Sequence, residues 1–235
     1  MIQVVSNRLQ NIHRFFLSQL LYPLALSSAL AAGLLTARIY YSHRWTFIFL
    51  LWNLFLAWIP YLCSLWITSL HQRNPHRWWY LFIPGFFWLI FLPNAPYMVT
   101  DLLHLNERQP VPFWYDIGML ATFAWTGCFL AFASIRAMQD VVGDFLGRWV
   151  SWLFAFSMMG LSGVGIYLGR FMNWNSWDVI LHPQIVLANL ASDFAHPIRN
   201  PQPFGVAALF AALLLVFYLT FASIEARQAT PVERK

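Results

Sequence analysis

Six long stretches of the chain are apolar and almost free of charge, and this pattern constrains the fold more than any other feature. A helix needs about 20 residues to cross a hydrocarbon core of about 30 Å. The stretches do not alternate with a period of two, which favours helices over a β-barrel. We therefore predict an all-α integral membrane bundle of six transmembrane helices that uses residues 1–235 as one domain. The predicted spans are 17–37, 45–67, 78–92, 113–135, 149–168 and 204–224.

Composition supports a membrane protein and argues against a nucleic-acid-binding protein. Hydrophobic residues make up 60% of the chain and charged residues only 10%, which lies outside the range of ordinary soluble domains. The formal net charge is +5, but the basic residues are spread among the segment ends and form no cluster. We therefore expect membrane lipids as partners and no nucleic acid.

The basic residues also predict the topology of the six spans. More of them fall on the connections of one side than on those of the other, and the richer side is cytoplasmic under the positive-inside bias. Both termini then lie in the cytoplasm. The richer side has Arg8, Arg14, Arg73, Arg77, Arg136, Arg148, Arg227, Arg234 and Lys235. The other side has Arg38, Arg44, Arg108, Arg170 and Arg199.

The first stretch imitates a signal peptide, because a basic N-terminus precedes an apolar run that contains Ala29-Leu30-Ala31. Removing it would leave five spans and place the termini on opposite sides, so we interpret it as a span. Cys63 and Cys128 fall inside predicted spans. We interpret both as small apolar packing residues rather than as a disulfide or metal ligands.

Proline and glycine inside the spans predict bends and close packing. Pro60 and the pair Pro84-Gly85 are expected to bend or interrupt their helices. Gly165 and Gly169 are four residues apart, which places two small residues on one helical face. We favour internal packing over dimerisation for this face.

Two connections on the predicted outer side carry most of the polar residues. The first follows the third span over residues 93–112, and the second covers about 169–203. A connection as long as the second one is usually either ordered for a purpose or disordered, and its many apolar side chains argue for order. We predict short interfacial helices over 177–190, interrupted by Pro183.

Asp and His recur at helical spacing in these connections, where both side chains of a pair share one helical face. The pairs are Asp101 with His104, Asp178 with His182, and Asp193 with His196. The first two pairs are candidates for a divalent metal site of zinc, manganese or iron, or for a catalytic acid–base site without metal. The alternative, which we favour, is helix capping and loop packing. The candidate caps are Asp101, Asn175 or Ser176, and Ser192.

Further polar side chains are candidates for binding. Arg170 could hold a phosphate or carboxylate, or pair with an acidic residue, and we favour the pair. Asp116 lies just inside the fourth span and needs a partner within the bundle, for which Arg170 is the first candidate. Asn94 and Tyr97 lie between two prolines, which predicts a rigid turn suited to a preorganised site or to a re-entrant plug.

Several features of transporters and common enzymes are missing from the sequence. No ionisable residue and no His lies near the middle of a predicted span, which argues against a proton relay and against an axial haem ligand. The two halves show no internal repeat. The chain also has no phosphate-binding glycine loop and no GxSxG motif.

Two segments resemble the signatures of a bacterial membrane family catalogued as domain of unknown function 1361. Residues 91–105 read FLPNAPYMVTDLLHL, and the second segment combines residues 165–170 with the run Asn175-Ser176-Trp177-Asp178. The resemblance covers most of the chain. It implies a multi-span protein of the bacterial inner (cytoplasmic) membrane with these segments as hallmarks, and it implies no particular reaction.

We expect the two outer connections to meet in one cap, and this expectation leads to three functional hypotheses. The first is an accessory or binding protein whose cap holds a lipid headgroup or a protein partner, with Trp174 and Trp177 facing outward. The second is an enzyme, with or without a metal ion, that acts on a lipid or envelope substrate at the outer interface. The third is a transporter. The cap residues are Asp101, His104, Asp116, Arg170, Asn175 and Asp178.

Overall fold

The computed structural model describes residues 15, 17, 19–75, 78–195 and 201–229, and its described part is all-α. Six helical segments are long and apolar enough to cross a membrane, as predicted, which suggests a multi-pass membrane protein. Their order along the chain is α1 Leu21–Ser42, α2 Phe49–Arg73, a third segment Trp79–His104, α5 Phe113–Leu146, α6 Arg148–Phe171 and α9 Gln202–Ala229.

The third segment is built from four consecutive helical pieces. A 3₁₀ helix and α3 come first, and the very short α4 and a second 3₁₀ helix continue the segment as far as His104. The sequence prediction ended this span at Leu92, whereas the helical segment continues to His104. The four pieces are the first 3₁₀ helix, Trp78–Leu81, then α3, Phe82–Phe91, then α4, Asn94–Tyr97, and the second 3₁₀ helix, Met98–His104.

The conformation of Pro93 explains why the helical path continues beyond Leu92. Pro93 has φ −63°, a value that the proline ring favours and that a helix also uses. It precedes the first residue of α4, so its missing N–H removes no hydrogen bond from an established helix. Pro60, by contrast, lies inside α2 without ending it, because α2 runs unbroken from Phe49 to Arg73.

Side-chain contacts between the spans give their relative directions. Arg38 near the end of α1 contacts Asp116 near the start of α5, so these two helices are antiparallel. Ser134 of α5 bonds to Pro60 of α2, and Asp144 bonds to His71, so α2 and α5 are parallel. We name the end of the bundle that holds Ser42, Phe49, His104 and Phe113 the motif end, and the end that holds Arg73 and Arg148 the base end.

The core lies where α2, α5 and the third segment pack together. Its large buried side chains include Tyr61, Trp88 and Phe123. The Trp88 indole N–H donates to Ser134 Oγ at 2.6 Å, and Ser134 Oγ donates to the Pro60 carbonyl at 3.2 Å. This chain of bonds joins three spans inside the apolar interior.

Two short helices follow α6 at the motif end. They are α7, Ser176–Leu181, and α8, Pro183–Ala195. The prediction of short helices interrupted at Pro183 is therefore confirmed. His196 and Arg199 lie outside the described residues, so the predicted pair of Asp193 with His196 does too.

Candidate ligand-binding cavity at the motif end

The first signature segment lies inside the bundle and not in an outer connection. Ala95 and Met98 are fully buried, and Thr100 and Asp101 are each 1% exposed. A Cβ added to Gly127 of α5 would lie only 2.3 Å from the Ala95 carbonyl oxygen. The glycine therefore permits an approach that no other residue would allow, and it brings α4 against α5.

The second signature segment packs directly on the first. A Cβ on Gly165 would lie 2.4 Å from Pro93 Cβ, and one on Gly169 would lie 3.0 Å from Tyr97 Cε2. The prediction that these two glycines serve internal packing is therefore confirmed. The small face of α6 packs against Pro93 and against Tyr97 of α4.

Hydrogen bonds attach the connection after α6 to the same segment. Asn94 donates from Nδ2 to Ser176 Oγ at 2.7 Å, and to the Phe91 carbonyl at 3.0 Å. Ser176 Oγ in turn donates to the Ile90 carbonyl at 3.1 Å. The two segments that we expected to meet in one cap therefore do meet, although residues 93–104 take part as a continuation of a span.

A cavity of about 320 Å³ lies between these segments. Its apolar lining comes mainly from α2, α3 and α6, and both signature segments contribute polar side chains. Among the described residues, none of those lining it is charged. The polar lining residues are Asn53, Asn94, Tyr97, Asn175 and Ser176. The apolar ones include Trp52, Leu56, Leu89, Ile90, Leu161, Val164, Leu168, Trp174, Val179 and Leu190.

Asp101 and His104 lie beside this cavity. Asp101 Oδ2 accepts a 2.9 Å hydrogen bond from Asn53 Nδ2, and its Oδ1 lies 3.9 Å from His104 Nδ1. Arg170 is close enough for its charge to act on both side chains, but it forms no ion pair or hydrogen bond with a described residue. Asp101 lies inside the second 3₁₀ helix and so does not cap a helix as one of our alternatives had it.

Asp116 pairs with Arg38 and not with Arg170. Arg38 Nε donates to Oδ1 at 2.7 Å and Nη2 donates to Oδ2 at 3.0 Å. The prediction that Asp116 finds a partner within the bundle is confirmed, but the expected partner was wrong. Arg38 is the last charged residue of α1, and the antiparallel packing of α1 on α5 brings it level with Asp116.

The second Asp and His pair serves the ends of α7. Asp178 Oδ2 accepts a hydrogen bond from the Asn175 backbone N–H at 2.8 Å, and Asn175 is the N-cap of α7. His182 is its C-cap residue. Capping is therefore confirmed for Asn175. Ser192 does not cap a helix, because it lies within α8 and its hydroxyl donates to the Asn189 carbonyl.

The proposed metal ligands do not form one cluster. Within the described part of the chain, no group of three or more His, Cys, Asp or Glu side chains could hold a metal ion. Asp101 and His104 lie together, whereas Asp178 is engaged at α7. The structure therefore does not assemble the four predicted ligands, Asp101, His104, Asp178 and His182, into a single site.

The two tryptophans of the long connection turn towards the protein. Trp174 lines the cavity, and the Trp177 ring lies 6.1 Å from the Trp52 ring, centroid to centroid. Both side chains are half-buried. Neither side chain therefore points fully outward, whereas the sequence interpretation expected both to do so.

Sequence reasoning also missed polar groups at both ends of the bundle. Arg38 was counted only as a topology signal, although a lone Arg at a span end and a lone Asp at another could have suggested a pair. At the base end, where the sequence analysis named no candidate site residue, His71 Nε2 contacts Asp144 Oδ2 at 2.9 Å. A cavity of about 650 Å³ lies nearby, lined in part by Gln139 and Ser151.

The chain was compared with known proteins and protein families. No curated protein and no solved structure matches it. A family model described as "Protein of unknown function (DUF1361)" matches residues 52–217, more than two thirds of the chain. The match includes both signature segments and all of the residues that line the cavity. The chain therefore belongs to this family, as the resemblance of its two signature segments had indicated.

Proposed function

We propose that this membrane protein binds a lipid in the cavity at the motif end. The observation that carries the proposal is that both signature segments line one cavity, apolar over most of its surface and polar where the two segments meet. A ligand that fits such a lining is itself amphipathic. Its apolar part would contact Leu56, Leu161 and Val164, and its polar part the Asn94 region.

The depth of the cavity supports a ligand that enters from the bilayer. Gly165 and Leu168 of α6 lie within a helix long and apolar enough to span, and so do Leu56 of α2 and Leu89 of α3. A lipid already resides at this depth, so it can enter without crossing water. A water-soluble ligand would have to leave water for a mostly apolar lining, which costs free energy for each unpaired polar group.

The proposal is tested by filling the cavity. Val164→Trp adds a large side chain to the lining, and Leu153→Trp adds the same side chain to the 65% exposed face of the same helix. Wild type and L153W, purified in mild detergent, are expected to retain close to one lipid per chain. V164W is expected to retain at most about a tenth of that amount, measured by lipid extraction and mass spectrometry.

Two results would count against lipid binding. One is a folded V164W protein that retains as much lipid as the L153W control. The other is wild-type protein that carries no lipid above the level of an unrelated membrane protein purified in the same way. The melting temperature of each variant shows whether it is folded.

Asp101 favours a second candidate function, an enzyme that acts on the bound lipid. A carboxylate that is 1% exposed is costly to bury unless it is held, and here Asn53 holds one oxygen while the other points towards His104. Asp101→Asn combined with His104→Ala should then alter the cellular lipid profile at normal protein levels. An unchanged profile with normal lipid retention would leave binding alone.

We also propose that the motif end faces the outside of a bacterial inner membrane, with both termini in the cytoplasm. The support is the excess of Arg and Lys on the connections of the other side. This orientation is tested in a variant in which Cys63 and Cys128 are replaced by Ala. Glu107→Cys at the motif end and Asn74→Cys at the base end are then introduced one at a time. An impermeant maleimide added to intact cells should label the first and not the second, and the reverse pattern would overturn the orientation.

A further inference from the structure

We propose that the cavity at the motif end selects an uncharged lipid, one whose polar head is a hydroxyl group or an amide, and rejects the phosphate-bearing form of the same lipid. This inference rests on the proposed function and names the chemical class of its ligand. Two observations support it: the polar lining atoms belong to amides and hydroxyls, and no charged side chain of a described residue lines the cavity.

The polar lining consists of amides and hydroxyls. The five polar residues are three Asn, one Tyr and one Ser, which present neutral donors and acceptors. Phosphate groups in proteins are usually held by Arg, by Lys or by several backbone N–H groups. Among the described lining residues there is no Arg and no Lys.

Several of these atoms have hydrogen-bonding capacity left for a ligand. The Tyr97 hydroxyl bonds to no described residue. Asn53 and Asn94 use their Nδ2 groups as donors, to Asp101 in one case and to Ser176 and Phe91 in the other. Their Oδ1 atoms accept no hydrogen bond from a described residue. A hydroxyl head can donate to either Oδ1 and can bond to the Tyr97 hydroxyl.

The described charged side chains of the motif end lie outside the cavity lining. Arg38 is paired with Asp116, and Asp178 accepts a hydrogen bond from the Asn175 backbone N–H. Arg170 follows the lining residue Gly169, lies outside the lining, and has its charge opposed by the nearby Asp101 carboxylate. A phosphate inside the cavity would therefore lose its hydration without gaining a cationic partner in the lining, and burying an unpaired charge is costly.

The cavity volume limits which part of the lipid is recognised. About 320 Å³ is at the lower end of the range for small-molecule pockets, so the cavity holds a small head and the first carbons of the chain. A small uncharged head fits this space. The remainder of the chain would lie along the apolar surface of the spans.

The direct test compares two lipids that differ only in the phosphate. Delipidated wild-type protein in detergent is titrated with dioleoylglycerol and with dioleoyl phosphatidate, and bound lipid is measured by native mass spectrometry. Dioleoylglycerol is expected to bind at least about tenfold more tightly, because the phosphate finds no cation in the lining. A long-chain alcohol in a parallel titration shows whether one chain is enough or the diacyl form is required.

A matched pair of variants tests the polar contact. Tyr97→Phe removes a hydroxyl that bonds to no described residue, and Tyr40→Phe removes one from a side chain that is 81% exposed and outside the lining. Y97F should weaken dioleoylglycerol binding about fivefold, while Y40F should bind like wild type. If Y97F does not fold, the comparison of the two lipids on wild-type protein still tests whether the cavity prefers the uncharged lipid.

The outcomes separate this inference from the proposed function. Phosphatidate that binds as tightly as dioleoylglycerol, or more tightly, and loses binding in V164W would overturn the selectivity and leave lipid binding in place. If neither lipid binds and wild-type protein retains no lipid on purification, both proposals are wrong. Selective dioleoylglycerol binding that V164W abolishes would support both.

Discussion

Arg38 and Asp116 form a bidentate ion pair that joins α1 to α5 and is almost completely buried, with side-chain exposures of 2% and 1%. The Arg38 guanidinium also lies over the Phe47 ring, 4.5 Å from its centroid. Two further hydrogen bonds join the same helices, from the Tyr115 hydroxyl to the Leu34 carbonyl and between the Ser27 and Thr126 hydroxyls. The ion pair therefore acts together with these bonds to hold α1 against α5.

Removing one member of this pair should destabilise the protein strongly. Asp116→Leu leaves a buried guanidinium without a counter-ion, and we expect a loss of about 3–5 kcal/mol in the free energy of unfolding. The double variant Arg38→Met with Asp116→Leu leaves no buried charge and should recover most of that loss. Unfolding in mixed micelles measures both; equal losses in the single and double variants would contradict a buried, coupled pair.

Gly127 allows α4 to approach α5, so Gly127→Ala should be destabilising. The added Cβ would meet the Ala95 carbonyl oxygen at 2.3 Å, and backbone must move to make room. We expect a loss of about 1–3 kcal/mol. The control is Gly118→Ala in the same helix, where a Cβ would have no neighbour within 4 Å. Melting temperatures of the two variants should differ clearly, and equal values would mean that the close approach is absent.

Ser134 satisfies the indole N–H of Trp88 within the core, so Ser134→Ala should leave a buried donor without a partner. The expected cost is about 1–3 kcal/mol. Ser157→Ala is the control, because the Ser157 hydroxyl is exposed and donates to the Leu153 carbonyl of its own helix. Chemical unfolding followed by tryptophan fluorescence compares the two. A cost for S134A no greater than that for S157A would show that the N–H finds another acceptor.

Asn94 and Ser176 belong to the two signature segments, and their hydrogen bond should couple them energetically. Asn94→Ala and Ser176→Ala, alone and together, form a double-mutant cycle. We expect a coupling free energy of about 0.5–1.5 kcal/mol. The same bond holds part of the cavity wall, so both single variants should also retain less lipid. A coupling near zero would mean that the segments dock without this contact.

The candidate site could be predicted only in part. The sequence indicated that residues 93–104 and the connection after α6 come together, and Asn94 with Ser176 shows that they do. The residues that line the cavity were mostly not predicted, because Leu56, Leu161 and Val164 look like any other apolar residues of a span. Which face of a helix points to a neighbour depends on the rotation of that helix. A stretch that is apolar on all sides gives no indication of this rotation.

The sequence by itself determined that six segments are long and apolar enough to span a membrane, that they are helical, and that two short helices follow α6, the second beginning at Pro183. Each of these depends on local hydrophobicity and backbone preference, which act over one element at a time. Only the tertiary structure decided that the third helical segment extends to His104, that Asp116 pairs with Arg38, and that both signature segments line one cavity. These features depend on depth, rotation and close contact between helices distant in sequence. Such relationships arise from packing, and the order of residues does not record them.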